Sequence, residues 1–105
     1  MADGPRLTYI SGLILQAVDI GHIYGYTVME ATGLPSGTVY PALRRLEREQ
    51  LVRSRWEQQT AQATALRPPR KYFKLTRSGE AALEVSRKRY PLLAKLTPTE
   101  EVPDV

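Results

Sequence analysis

The chain has no cysteine and only one histidine, one tryptophan and one phenylalanine among its 105 residues. Without thiols it forms no disulfide, no thiolate nucleophile and no cysteine-ligated zinc site, and a single histidine excludes a polyhistidine metal site within one subunit. No apolar run approaches the roughly 18 residues of a membrane-spanning helix. The start, Met1-Ala2-Asp3-Gly4-Pro5, lacks a basic region followed by an apolar stretch, so no secretory signal is read there and a cytoplasmic location is expected. There is no phosphate-cradling glycine loop, and nothing pairs His22 with a serine and an acid in a recognisable spacing. The expectation is therefore a non-enzyme without a cofactor or metal.

What is present is the composition of one folded domain: 42% hydrophobic and 25% charged residues. The net charge of +4 is unevenly spread. Between Ser36 and Arg77 ten basic residues face only Glu47, Glu49 and Glu57, a balance of +7, which leaves −3 for the remainder. Such asymmetry points to an electropositive surface suited to a polyanion, with a plain solvated basic face as the alternative.

The segment Gly25 to Glu47 reads as two short helices hinged by a glycine turn, the pattern of a helix-turn-helix. Before it, Thr8 caps a first helix whose Ile10, Leu13, Ile14, Ala17 and Val18 form one apolar stripe. A second helix is expected from about Gly25 to Thr32, ended by Gly33 in the left-handed conformation. Leu34 and Pro35 make the turn, Ser36 caps the third helix, and that helix continues to about Gln50. From Leu51 to Gln58 the period changes to two, with Val52, Ser54 and Trp56 on one side and Arg53, Arg55 and Glu57 on the other, which predicts a strand. Arg70 to Leu75 has the same look, and the polar stretch from Gln59 to Pro69 makes the pair a hairpin with a mobile tip. Thr76 caps a fourth helix, in which Ala82, Val85, Arg89, Leu92 and Leu96 keep helical spacing. Pro91 must kink that helix or end and restart it. Beyond Thr97 a disordered tail is expected.

The fold class that follows is mainly α with a small two-stranded antiparallel β wing: a winged helix-turn-helix plus a C-terminal dimerisation helix. The expected divisions are residues 1–76 for DNA binding, 77–97 for dimerisation and 98–105 for the tail.

Within the third helix, Arg44, Arg45 and Arg48 fall away from the apolar Val39, Leu43 and Leu46, with Gly37 and Pro41 between them, so this face can approach a duplex closely. Ser36, Thr38 and Tyr40 sit in its first turns, where a recognition helix meets DNA. Ser36 is favoured as a cap over a base contact, and Tyr40 either packs under the second helix or donates to a phosphate. At the wing, Arg67, Arg70 and Lys71 are read as backbone or minor-groove contacts, the alternative being edge charge that blocks sheet-to-sheet pairing. Trp56 could stack on a planar effector, but packing against the core is favoured, as it is for Tyr24 and Tyr26. Val85, Tyr90, Leu92, Leu93 and Leu96 exceed what one small domain needs to cover, which suggests a homodimer. The alternative is that this helix folds back on the first helix of its own subunit. The partners expected are thus a double-stranded DNA operator and a second copy, with no membrane. A winged-helix adaptor that binds protein is the second reading.

Tyr24-Gly25-Tyr26, then Gly37-Thr38-Val39-Tyr40-Pro41-Ala42-Leu43-Arg44-Arg45-Leu46-Glu47, then Leu51-Val52 and Trp56, and finally Arg67 to Thr76 with Gly79, resemble the PadR-like transcriptional regulators over roughly residues 7 to 90. The resemblance implies a dimeric prokaryotic winged-helix repressor whose C-terminal helix forms the dimer. It also implies a small-molecule effector at the dimer interface that releases DNA by changing the spacing of the recognition helices. The short C-terminal part resembles the compact branch of the family.

Overall fold

The structure, a computed structural model, describes residues 8–58 and 65–95. The elements run α1 (Tyr9–Asp19), α2 (Gly25–Thr32), α3 (Ser36–Arg48), β1 (Val52–Trp56), β2 (Lys71–Leu75), α4 (Arg77–Arg89) and a 3-10 helix (Pro91–Lys95). This is the order of a winged helix.

Thr8 caps α1, its hydroxyl accepting from the Ser11 amide at 3.1 Å. The helix buries more than the expected stripe, however. Ile14, Ala17 and Val18 are buried as the spacing predicts and Ile10 and Leu13 half-buried, but Ser11, Gly12, Leu15 and Gln16 are buried too. The reason is position: α1 is central, touching α2, α3, β2 and α4 on different sides. A helix covered all round shows no single stripe.

Gly33 ends α2 in the left-handed conformation, φ 76°, with its amide on the Met29 carbonyl at 2.8 Å. The next helix starts one residue earlier than a Ser36 cap requires. Pro35 is the extended residue before α3 and its carbonyl accepts from Thr38 and Val39, so Ser36 is the first helical residue and caps nothing. At the other end α3 stops at Arg48, and Gln50 takes a positive φ of 64° to redirect the chain. Pro41 lies inside α3. Having no N–H, it leaves the Gly37 carbonyl without its helical donor. Both residues are exposed, so water can take the donor's place.

The two strands pair antiparallel from Val52↔Leu75 to Trp56↔Lys71. Val52, Ser54, Phe73 and Leu75 face the core, while Arg53, Arg55 and Lys74 face out. The chain before α2 adds to the other edge of β2, with the Phe73 amide on the Ile23 carbonyl at 2.7 Å and a bridge between Tyr24 and Tyr72. Trp56, expected to pack on the core, is 60% exposed instead. It is the last residue of β1, with the Lys71 ammonium 5.8 Å from its ring centre. Tyr26 is likewise 58% exposed, while Tyr24 is half-buried against Tyr72.

Thr76 caps α4 by accepting from the Gly79 amide at 2.9 Å. Gly79 sits directly against the Leu51 carbonyl, leaving no room for a Cβ. Helix α4 ends at Arg89, and the chain restarts at Pro91 as a 3-10 helix, so Pro91 ends and restarts the helix. The residue before a proline avoids the α region, which accounts for the φ −128°, ψ 79° of Tyr90. One core unites Ile14, Leu15, Val28, Val39, Leu43, Leu46, Val52 and Phe73 with Ala82 and Leu83 of α4. Arg87 fastens α4 to α1 through Gln16 at 2.9 Å and Asp19 at 3.1 Å.

Candidate nucleic-acid interface

Helix α3 presents a buried strip, an exposed strip opposite it, and two flanks between them. Val39, Ala42, Leu43 and Leu46 are buried. Opposite them Gly37, Pro41, Arg44 and Arg48 are exposed, and Gly37 has open space around the position of a Cβ. Two small residues beside two arginines give a flat basic face onto which a groove can close. Neither Arg44 nor Arg48 pairs with a carboxylate among the described residues.

Arg45 does not belong to this face. It lies on the flank toward α1, donates to the Ser11 hydroxyl and stands 3.9 Å from Glu49. The expectation that the three arginines share one outer surface therefore holds for Arg44 and Arg48 only. Helical angle placed Arg45 away from the apolar strip, but α1 packs against the flank as well. Thr38 is half-buried, and Ser36 is exposed at the first position of the helix.

Tyr40 lies on the opposite flank, its ring directly against Gly25 of α2, and stays 40% exposed. The two roles weighed for it are compatible in space: the ring packs under α2 while its edge remains open. Gly25 is glycine because a Cβ there would enter the Tyr40 ring.

The wing is tied to this flank. Glu47 accepts from Ser54 at 2.5 Å and pairs with Lys71 at 3.4 Å. The Ser54 bond, with the Lys71 charge behind it, holds the Glu47 carboxyl below its ordinary range despite partial burial. Further out, Glu57 accepts two bonds from Arg67, 2.7 and 2.8 Å, and one from the Arg70 amide at 3.0 Å. The Arg67 bonds, then the amide, hold the Glu57 carboxyl at about 2. The same bonds raise Arg67 above the usual guanidinium value. The Arg70 guanidinium lies 4.3 Å over the Tyr24 ring.

The three wing residues named from the sequence thus differ in availability. Arg67 is matched by Glu57, Lys71 by Glu47, and Arg70 stacks on an aromatic ring without a carboxylate among the described residues. Arg53, Arg55 and Lys74, which the sequence reading counted as charge but not as contacts, share the outer face of the sheet and pair with no acid among the described residues. The period-two pattern carried that signal, since it put Arg53 and Arg55 on one side.

The residues named for dimerisation divide as well. Val85 and Leu92 are exposed, at 54% and 70%. Leu93 is not available: it is buried against Gly12 of its own subunit, because the 3-10 helix turns back over α1. Tyr90 packs edge-on to Tyr9, ring centres 5.3 Å apart. Leu96 lies outside the described residues. No group of histidine, aspartate and glutamate that could hold a metal occurs among the described residues, and no helix there is long and apolar enough to cross a membrane.

Comparison with known proteins fits this geometry. A PadR-family transcription regulator from Clostridium difficile R20291 is 29% identical, with a TM-score of 0.66 over 84% of this chain and 93% of that one. A PadR-like transcriptional regulator from Bacillus cereus strain ATCC 14579 is 25% identical, with a TM-score of 0.62 over 82% of this chain and 84% of that one. A PadR-like transcription factor from Bacteroides fragilis is 26% identical, with a TM-score of 0.60 over 80% and 82%. A search of curated proteins found no match. The model of the transcriptional regulator PadR-like family matches residues 14–85. With the winged-helix order and the basic outer face of α3, that match means the chain belongs to the PadR-like family of transcriptional regulators.

Proposed function

We propose that the protein represses transcription by binding a palindromic operator as a two-fold dimer. Helix α3 enters the major groove through Gly37, Pro41, Arg44 and Arg48, and its first turn brings Ser36, Thr38 and Tyr40 to the backbone or base edges. The forked guanidinium of arginine suits guanine edges and phosphates alike. Arg45 supports the helix from behind. At the wing, Arg70 and Lys71 grip flanking backbone, and Arg67 joins them when a phosphate displaces Glu57.

The observation that carries this reading is the outer face of α3, where two arginines without a carboxylate partner among the described residues flank two residues too small to obstruct a groove. The second copy is proposed to dock on the exposed side chains of Val85 in α4 and Leu92 in the 3-10 helix. Half-sites then fall about one helical turn, about 10 bp, or a multiple apart. A small-molecule effector that alters the spacing of the two α3 helices would release the operator. Selection of bound sequences from random duplex DNA tests binding, symmetry and spacing together. A two-fold consensus is expected, and a consensus without symmetry contradicts the dimer.

A further inference from the structure

A cavity of about 440 Å³ opens between the start of α2, the Tyr40 flank of α3 and the base of the wing. Its walls include Tyr26, Tyr40 and Trp56 together with Arg44, Arg70 and Lys71, and no acid among the described residues lines it. All three aromatic residues are exposed, Trp56 most of all. An indole gains much from burial, so leaving it open beside a cavity is a feature that packing does not account for. Its cationic neighbour is the Lys71 ammonium, 5.8 Å from the ring centre. Lys71 is held there by Glu47 at 3.4 Å, which lies outside the cavity lining. Arg70 is oriented by the Tyr24 ring, and Arg44 is unpaired among the described residues.

Flat apolar faces beside guanidinium and ammonium groups suit a ligand that joins a planar ring to an anion. A nucleotide is such a ligand, because every base offers a face for stacking and the phosphate accepts forked hydrogen bonds from arginine. The volume is within the range of about 300–1,000 Å³ usual for small-molecule sites.

We propose that this cleft binds a nucleotide unit, its base stacked on Trp56 and its phosphate held by Arg70 and Arg44. Occupancy competes with duplex DNA, since Arg44 belongs to both surfaces; this last step alone rests on the α3 reading above. The same chemistry has two sources, a free nucleotide or an unpaired nucleotide of a single strand.

Trp56 is the sole tryptophan, so its fluorescence reports the cleft directly. The full chain is titrated with adenosine monophosphate, adenosine and a short oligodeoxyadenylate, and separately with duplex DNA. Saturable quenching by the monophosphate, with adenosine about tenfold weaker, is expected, and it identifies the free nucleotide as the source. Saturation by the oligonucleotide alone identifies the single strand. Arg70→Ala weakens the phosphate-bearing ligand about tenfold. Tyr26→Ala, at an exposed side chain, provides a second variant that leaves the fold intact and weakens binding by several fold. No saturable quenching by either ligand, or equal binding of adenosine and its monophosphate, overturns the proposal. A chain that shifts duplex but meets neither ligand loses the cleft and keeps the α3 reading. One that binds the monophosphate without shifting duplex keeps the cleft and loses the α3 reading.

Discussion

Arg45 of α3 donates to the Ser11 hydroxyl of α1, whereas its neighbour in sequence, Arg44, faces solvent. Ser11 in turn interacts with the Thr8 hydroxyl that caps α1, so α3 is anchored to the first turn of the central helix. Arg45→Ala is therefore expected to lower unfolding stability by about 1 kcal/mol, a partly exposed charged hydrogen bond being lost. Duplex binding measured at several salt concentrations should keep nearly the same slope. Unchanged stability with a flatter slope would place Arg45 on the DNA face after all.

Gly25 and Tyr40 test the flank of α3. A Cβ at Gly25 enters the Tyr40 ring, so Gly25→Ala should destabilise by about 2 kcal/mol through overpacking. Adding Tyr40→Ala should remove most of that penalty, the mark of two residues in contact. Denaturant unfolding of both singles and the double checks this, and simple additivity refutes it.

The difference between Arg44 and Arg45 shows what was legible in the sequence. Helix period placed α1, α2, α3 and α4, and Gly33 and Thr76 marked an end and a beginning because cap chemistry is local. Ser36 misled because Pro35 already supplies the extended residue and the carbonyl that a helix start needs. Arg45, Trp56 and Leu93 misled for a shared reason: period says which residues share a face, not what lies against each face. The flank of α3 meets α1, the end of β1 borders an open cavity, and the 3-10 helix folds onto Gly12.

The clasp at the wing has a pH signature. Hydrogen bonds from Arg67 first and the Arg70 amide second hold Glu57 at about 2 instead of its ordinary 4.5. A carboxyl depressed in the folded state contributes stability that is present above the unfolded value of 4.5 and lost as pH falls through about 2. Carbon NMR of the Glu57 carboxyl should show its inflection near the lower value. An inflection near the ordinary value would mean that the clasp is open in solution.

Glu57→Gln should free Arg67. Duplex affinity is expected to rise, and the slope of log affinity against log salt to steepen by about one as one more phosphate is neutralised. Fluorescence anisotropy with a labelled duplex reads both, and a flatter slope would exclude Arg67 from the interface.

At the end of the chain, Leu92→Glu and Leu93→Ala should differ in kind. The first alters an exposed side chain and is expected to shift sedimentation toward monomer with the fold retained. The second empties a buried position and should cost about 3 kcal/mol in stability. A Leu92→Glu chain that sediments as the parent chain does would exclude this surface from dimerisation.

The central claim is that the outer face of α3 binds DNA. Its most direct measurement is the salt dependence of duplex binding for the parent chain and for the Arg44→Ala, Arg48→Ala double variant. The parent should lose affinity steeply with salt, and the variant should bind more weakly with a slope reduced by about two. Equal affinity and equal slope for the two chains would contradict it.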